Sequence, residues 1–235
     1  MTSKDQDAVG KPVPGWTAPS APPAEVLQGR YCRLEPLDPA THAEALWAAF
    51  CEDEQGRNWR YLPYGPFAGL TELREWLDGA VAQPDMLFYV IVDTSRGEAL
   101  GVAAYLRIVR EHGCMEVGHL NFSLRLQRTR IATEAMYLMM RQTFALGYRR
   151  YEWKCDALNA ASRAAAVRLG FRYEGLFRQA AVVRGRNRDT AWYSVIDSEW
   201  PALQRSFELW LAPANFDERG RQRQSLAALR GEVVS

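Results

Sequence analysis

Apolar residues recur along this chain in two rhythms. Short alternating or continuous runs read as strands, and three-to-four spacing reads as helices. Tyr31–Leu37 alternates and predicts a strand. Asp38 or Thr41 can then cap a helix whose apolar positions are Ala45, Leu46, Ala49 and Phe50. Thr71 opens a second helix carrying Leu73, Trp76, Leu77 and Val81. Between the two, Trp59–Phe67 is rich in aromatics, proline and glycine and reads as a loop. Three strand-like runs follow, Met86–Val92, Ala99–Val109 and Cys114–Leu124, the last two joined by the hairpin turn Arg110–Gly113. A helix spans about Ile131 to Leu146 and ends at Gly147. The short strand Tyr151–Cys155 and the alanine-rich helix Asn159–Leu169, stopped by Gly170, come next. Phe171–Val183 and Thr190–Ile196 predict two more strands around the turn Arg184–Asn187. Ser198 caps a final helix with Pro201 in its first turn, reaching about Leu211.

The order is β-α-α-β-β-β-α-β-α-β-β-α. It predicts the α+β class: one mixed, twisted, mostly antiparallel sheet flanked by helices, not a doubly wound parallel sheet. Five prolines within residues 1–29 mark an N-terminal arm. The folded domain is expected over residues 30–212, followed by a polar tail over 213–235.

Composition narrows the function. Hydrophobic residues at 48% and charged residues at 24% exclude disorder for the bulk of the chain. Cys32, Cys51, Cys114 and Cys155 form no CxxC pair, and His42, His112 and His119 add no ligand spacing. No metal site and no disulfide framework are therefore expected, and free thiols point to a reducing cytoplasm. No apolar run approaches the ~18 residues of a membrane span, and the first residues lack a secretory signal core. The net charge of +1 argues against whole-molecule attraction to nucleic acid or a membrane. It hides a segregation: residues 1–120 carry −7, residues 121–188 carry +10 and residues 189–235 carry −2. The basic middle suits an anionic ligand, and the acidic front suits a cationic one.

The candidate chemistry lies where Glu116–Leu124 runs into the helix at Arg130. A helix N-terminus presents unpaired N–H groups and a positive dipole end, a ready phosphate cradle, and this one is approached by Arg125, Arg128 and Arg130. The run Gln127-Arg128-Thr129-Arg130-Ile131-Ala132, continued by Thr133-Glu134-Ala135, resembles the acetyl-CoA loop of the GNAT N-acetyltransferases, in particular the RimJ/RimL-like branch. That loop has the form Gln/Arg-x-x-Gly-x-Gly/Ala; Gln127 and Ala132 match it, and Arg130 stands where its first glycine is usual. Asn159-Ala160-Ala161-Ser162, Arg168-Leu169-Gly170-Phe171 and Glu174-Gly175 extend the resemblance over about residues 30 to 200.

The resemblance implies a GNAT-type sheet splayed at the cofactor site and an acetyl-CoA-dependent transfer to a primary amine, either a protein N-terminus or a small amine. It implies no metal. For cofactor contacts it points to Asn121, Phe122, Leu124, Gln127, Arg128, Thr129, Arg130, Ile131, Ala132, Thr133, Asn159 and Ser162, with backbone N–H groups of Thr129 to Ala132 as the cradle. Backbone N–H groups near Asn121–Phe122 would polarise the thioester carbonyl. Glu116 is the first candidate for the base, acting through water, and an arginine-paired structural carboxylate is its alternative. His119 is the second candidate, although three residues along a regular strand would turn it to the opposite face unless a bulge intervenes. Many relatives use a tyrosine acid at the position of Ala166, so Ser162 is the substitute, unless it merely caps its own helix. Trp59, Tyr61 and Tyr64 stand in the loop where relatives hold the acceptor, and a packed aromatic loop is the alternative. A catalytically silent CoA-binding sensor is the alternative function. The basic turn around Arg184–Arg188 is too short to argue for RNA. A homodimer is left open.

Overall fold

The computed structural model describes residues 9–234. Among them, β1 (Leu27–Gln28), β2 (Cys32–Pro36), β3 (Leu87–Asp93), β4 (Ala99–Val109), β5 (Cys114–Phe122), β6 (Arg150–Asp156), β7 (Arg172–Val183) and β8 (Arg186–Ile196) form one open sheet. Its order is β1-β2-β3-β4-β5-β6-β8-β7. Only β5 and β6 pair in parallel, as the intervening helix requires. The helices are α1 (Pro39–Phe50), α2 (Leu70–Val81), α3 (Arg130–Ala145), α4 (Ala160–Arg168), α5 (Trp200–Leu211) and α6 (Leu226–Val234). No helix among the described residues is long and apolar enough to cross a membrane.

Two cores sandwich the sheet. On one face Val90, Val102 and Ala104 meet Leu46 and Phe50 of α1 and Leu73 and Leu77 of α2. On the other, Tyr105, Met115, Val117 and Tyr151 meet Met136, Met139 and Met140 of α3 and Phe207 of α5. The alternation within β4 and β5 that separates these sets is the period-two signal of the sequence.

At α1 one of the two expected caps is used, and several other element starts are shifted. Asp38 is the N-cap of α1, its carboxylate accepting from Ala40 N at 3.0 Å. Helix α2 begins at Leu70, before Thr71, and α5 begins after Glu199, with no side-chain cap from Ser198. The β7–β8 turn is only Arg184-Gly185, both at positive φ (50° and 71°), so β8 starts at Arg186 instead of Thr190. Leu27–Gln28 adds a short strand within the proline-rich arm, and the Pro19, Ser20 and Pro23 carbonyls accept from Arg110, Tyr148 and Tyr89. At the other end, Phe216, Leu226 and Leu229 are buried in the α3-side core.

Glu134 ties α3 to the entry of β2. Its buried carboxylate accepts from the backbone N–H of Arg30 (2.9 Å), Tyr31 (2.6 Å) and Cys32 (2.8 Å). Glu134→Gln replaces one acceptor oxygen by a donor and opposes a buried N–H, so a loss of about 2 kcal/mol is expected in urea unfolding.

Candidate functional site

The parallel pairing of β5 with β6 runs only from Cys114–Arg150 to Val117–Trp153. Beyond it the two strands part, which leaves the edge of β5 from Gly118 to Phe122 without β6 as a partner. In the same place β5 carries a bulge. Gly118 lies opposite Ala104 and Asn121 opposite Val102, so His119 and Leu120 together face one residue of β4. His119 sits at φ 51°, in the left-handed region.

A cleft of about 1430 Å³ opens from this parting. Leu120, Asn121 and Phe122 of β5, Gln127 to Thr133 of the loop and α3, Trp153 of β6, and Asn159 and Ser162 of α4 line it. Seven arginines (Arg30, Arg57, Arg60, Arg96, Arg128, Arg130 and Arg168) border it against one carboxylate, Asp93. Asp93 is already engaged by the Ser95 N–H and hydroxyl, both at 2.7 Å. The cleft is therefore strongly cationic.

The helix start is built as a cradle. Thr129 is the N-cap of α3, and its hydroxyl accepts from Ala132 N at 3.1 Å. That takes Ala132 out of the predicted set of donors and leaves the N–H groups of Thr129, Arg130 and Ile131, those of Arg130 and Ile131 being first-turn groups without an intrahelical partner. The Arg130 guanidinium lies between the rings of Tyr31 (4.8 Å) and Phe216 (4.6 Å). Arg168 donates to the Thr133 hydroxyl at 3.1 Å and covers the Trp210 ring. Both cations are thus held in place instead of trailing into solvent. Gln127 donates to the Asn58 side chain and to the Phe122 carbonyl, bracing the loop. Asn121 is buried, and neither end of its amide has a hydrogen-bond partner among the described residues. Leu124 is half exposed and does not line the cleft.

On α4, Asn159 is the N-cap and accepts from Ser162 N at 3.0 Å. The Ser162 hydroxyl is therefore not spent on its own helix. Its oxygen accepts instead from the Trp153 indole N–H at 3.0 Å, on the wall of the cleft. With the oxygen fixed by a donor, the hydroxyl proton is left to point elsewhere. Cys155 stands beside it: burial pushes this thiol up, and the Ser162 hydroxyl partly offsets that.

The two base candidates share the α1–α2 face. Register puts Glu116 opposite Leu106, in line with Ala104 on that face, and the bulge turns His119 to it as well. Neither lines the large cleft. Glu116 is buried, with Lys154 Nζ 2.9 Å and Arg107 Nε 3.3 Å from Oε2, neither aligned as a hydrogen bond. Burial raises its pKa against the opposing pull of both cations. His119 stacks on Tyr64, touches Phe88, and pairs through Nδ1 with the Tyr64 hydroxyl at 3.1 Å. Burial lowers its pKa and favours the neutral ring.

The aromatic loop divides. Trp59 is packed between Phe50 and Phe67, and its ring fills the space above Gly65, where a Cβ would come within 2.3 Å. Tyr61 lines the cleft and donates to the Leu158 carbonyl. Tyr64 lies beside His119. Sequence reasoning did not single out Arg30, Arg57, Arg60, Arg96 or Trp153. All four arginines belong to the acidic front half, so segment charge alone pointed away from them.

A family model described as Acetyltransferase (GNAT) domain matches residues 32–172. The crystal structure of a GCN5-related N-acetyltransferase from Brucella melitensis is 44% identical with a TM-score of 0.91, covering 93% of this chain and 100% of that one. A probable acetyltransferase of the GNAT family from Chromobacterium violaceum is also 44% identical, with a TM-score of 0.78 and coverage of 84% and 99%. An acetyltransferase from Salmonella typhimurium that modifies the N-terminal serine of ribosomal protein L7/L12 is 22% identical, with a TM-score of 0.63 and coverage of 73% and 99%, a likeness of fold. No curated protein matches.

Proposed function

The chain belongs to the GNAT acetyltransferase family, and on that premise we propose that it transfers the acetyl group of acetyl-CoA to a primary amine by direct attack in a ternary complex. The observation that carries this is the arginine-lined cleft at the start of α3, opening where β5 and β6 part. CoA brings roughly four negative charges on its phosphates, and seven arginines around one engaged carboxylate answer them. The first-turn N–H groups of Arg130 and Ile131 take the pyrophosphate, and the unpaired edge of β5 takes the pantetheine arm. The motifs Asn159-x-x-Ser162 and Arg168-Leu-Gly-Phe171 support the RimJ/RimL-like branch.

In the reaction the amine nitrogen attacks the thioester carbonyl, and backbone N–H groups near Asn121–Phe122 stabilise the oxyanion. The tetrahedral adduct collapses with loss of the CoA thiolate, which takes the Ser162 hydroxyl proton; Ser162 regains one from solvent. Before the attack Glu116, buried beside Lys154 and Arg107 and lining neither cavity, accepts the substrate ammonium's proton through a relay of water, and the adduct's second N–H proton passes to solvent. A base acts when deprotonated, so activity falls as the pH drops through its pKa, which burial has raised. Glu116→Gln is expected to lower kcat/KM and abolish that acidic limb, while His119→Asn keeps it. An unaltered profile in Glu116→Gln would reject this role, and a flattened one in His119→Asn would move it there.

The deciding assay is thiol release from acetyl-CoA across a panel of amines. Turnover of at least one amine is expected. Tight acetyl-CoA binding with no turnover would favour the silent sensor.

A further inference from the structure

A second cavity, of about 340 Å³, lies on the α1–α2 face, lined by Tyr64, Trp76, Gly79, Ala80, Gln83, Met86, Phe88 and His119. Half of its lining residues carry rings. Trp76 lies 4.3 Å from Tyr64 and stands edge-on to Phe88 at 5.8 Å, and the His119 imidazole stacks on Tyr64 at 5.6 Å. No carboxylate lines it. An ammonium buried there would find ring faces but no opposing carboxylate to offset its lost hydration, whereas a flat apolar group would find ring faces and edges on several sides and lose no such hydration. The Arg184 guanidinium of the β7–β8 turn holds the Tyr64 and Gly65 carbonyls, fixing the wall that carries Tyr64.

The position of the cavity says what enters it. His119 lines it, while the next residue, Leu120, lines the cofactor cleft. Cavity and cleft therefore lie on either side of the β5 bulge, lined by consecutive residues with Cα atoms ~3.8 Å apart. A molecule seated in the cavity by an apolar body can present a nitrogen at the place where β5 opens. Resting on the acetyl-transfer reading, we infer that this cavity seats the body of the acceptor, and that the acceptors are amines carrying an aromatic or similarly flat apolar group. His119 then serves as a neutral part of the wall, anchored to the Tyr64 hydroxyl, and not as the base.

Gly79 supplies the test. It lies in α2 on the cavity wall, and a Cβ added there meets nothing within 4 Å. Gly79→Leu thus fills the mouth while raising helix propensity, so loss of the fold is not the expected outcome. In wild type, kcat/KM for 2-phenylethylamine is expected to exceed that for ethylamine by about tenfold or more, and Gly79→Leu should bring the ratio close to one. A wild-type ratio near one, or a ratio unchanged by Gly79→Leu, overturns the inference. So does a ratio that collapses equally in Gly79→Ala, which alters the helix without filling the cavity. A peptide with N-terminal Phe against one with N-terminal Gly shows whether the apolar amine is a small molecule or a chain terminus. If no amine is turned over, the acetyl-transfer reading fails, and the cavity is judged separately by calorimetry with 2-phenylethylamine. Binding that Gly79→Leu removes upholds an apolar-amine site; absent or unchanged binding overturns it.

Discussion

Ser162→Ala is expected to lower kcat about 10²-fold or more, while KM for acetyl-CoA moves by only a few-fold. A hydroxyl that protonates the departing thiolate acts in the transition state, so its loss appears in kcat and kcat/KM together. A hydroxyl that merely helped to bind the cofactor would raise KM and leave kcat alone. The local geometry favours the first outcome. Asn159 already caps α4, so removing the Ser162 hydroxyl leaves the helix start intact. What the substitution does strand is the Trp153 indole N–H, which donates to Ser162 at 3.0 Å. Trp153→Phe is therefore the companion variant. It removes the donor that fixes the oxygen but keeps the hydroxyl, and a smaller fall in kcat is expected from it. Steady-state kinetics with saturating amine separate the cases. A change confined to KM in Ser162→Ala would make Ser162 a binding residue, and the thiolate would then leave unassisted.

How much of this was legible beforehand follows from how local each feature is. The strands and helices of the core were written in periodicities that need no tertiary knowledge, as in Met86–Val92 or Ile131–Leu146. The cap at Asp38 and the stop at Gly147 were equally local. The loop from Gln127 to Thr133 was visible because a helix start, its arginines and a family pattern coincide there. By contrast, the bulge at His119 depends on how β5 registers against β4. Nothing in Gly118-His119-Leu120 demands it, so the face of His119 could only be stated conditionally. The arginines contributed by Arg30, Arg57, Arg60 and Arg96 come from segments distant in sequence, brought to one cleft by sheet order. Trp59 falls on the packed side of the two readings of its loop. An aromatic in a glycine- and proline-rich loop looks exposed, yet Phe50, Phe67 and Gly65 close over it. The tail after Pro213 has weak periodicity, yet it delivers Phe216 to Arg130.

That contact makes Arg130 the informative residue of the proposed cofactor site. At the position where the resembling pattern carries glycine, this chain places a guanidinium clamped between Tyr31 and Phe216. A clamped cation loses less side-chain freedom when an anion arrives, so more of its attraction survives as affinity. The double reversal Arg128→Glu with Arg130→Glu moves the cleft by four charge units next to the phosphates. At partly screened separations each such charge is worth about 1 to 4 kcal/mol, so CoA binding is expected to weaken by about 10²-fold or more. The residual binding should also respond less to added salt, because fewer ion contacts remain to be screened. Arg130→Gln removes the charge without reversing it and should fall between the two. Arg130→Glu also removes cation–π contacts, so thermal unfolding of each variant is needed to show that the fold persists. Calorimetry at two salt concentrations then decides the matter. Unchanged affinity in a folded double variant would remove the phosphates from the start of α3, and with them the reading of this cleft as the CoA site.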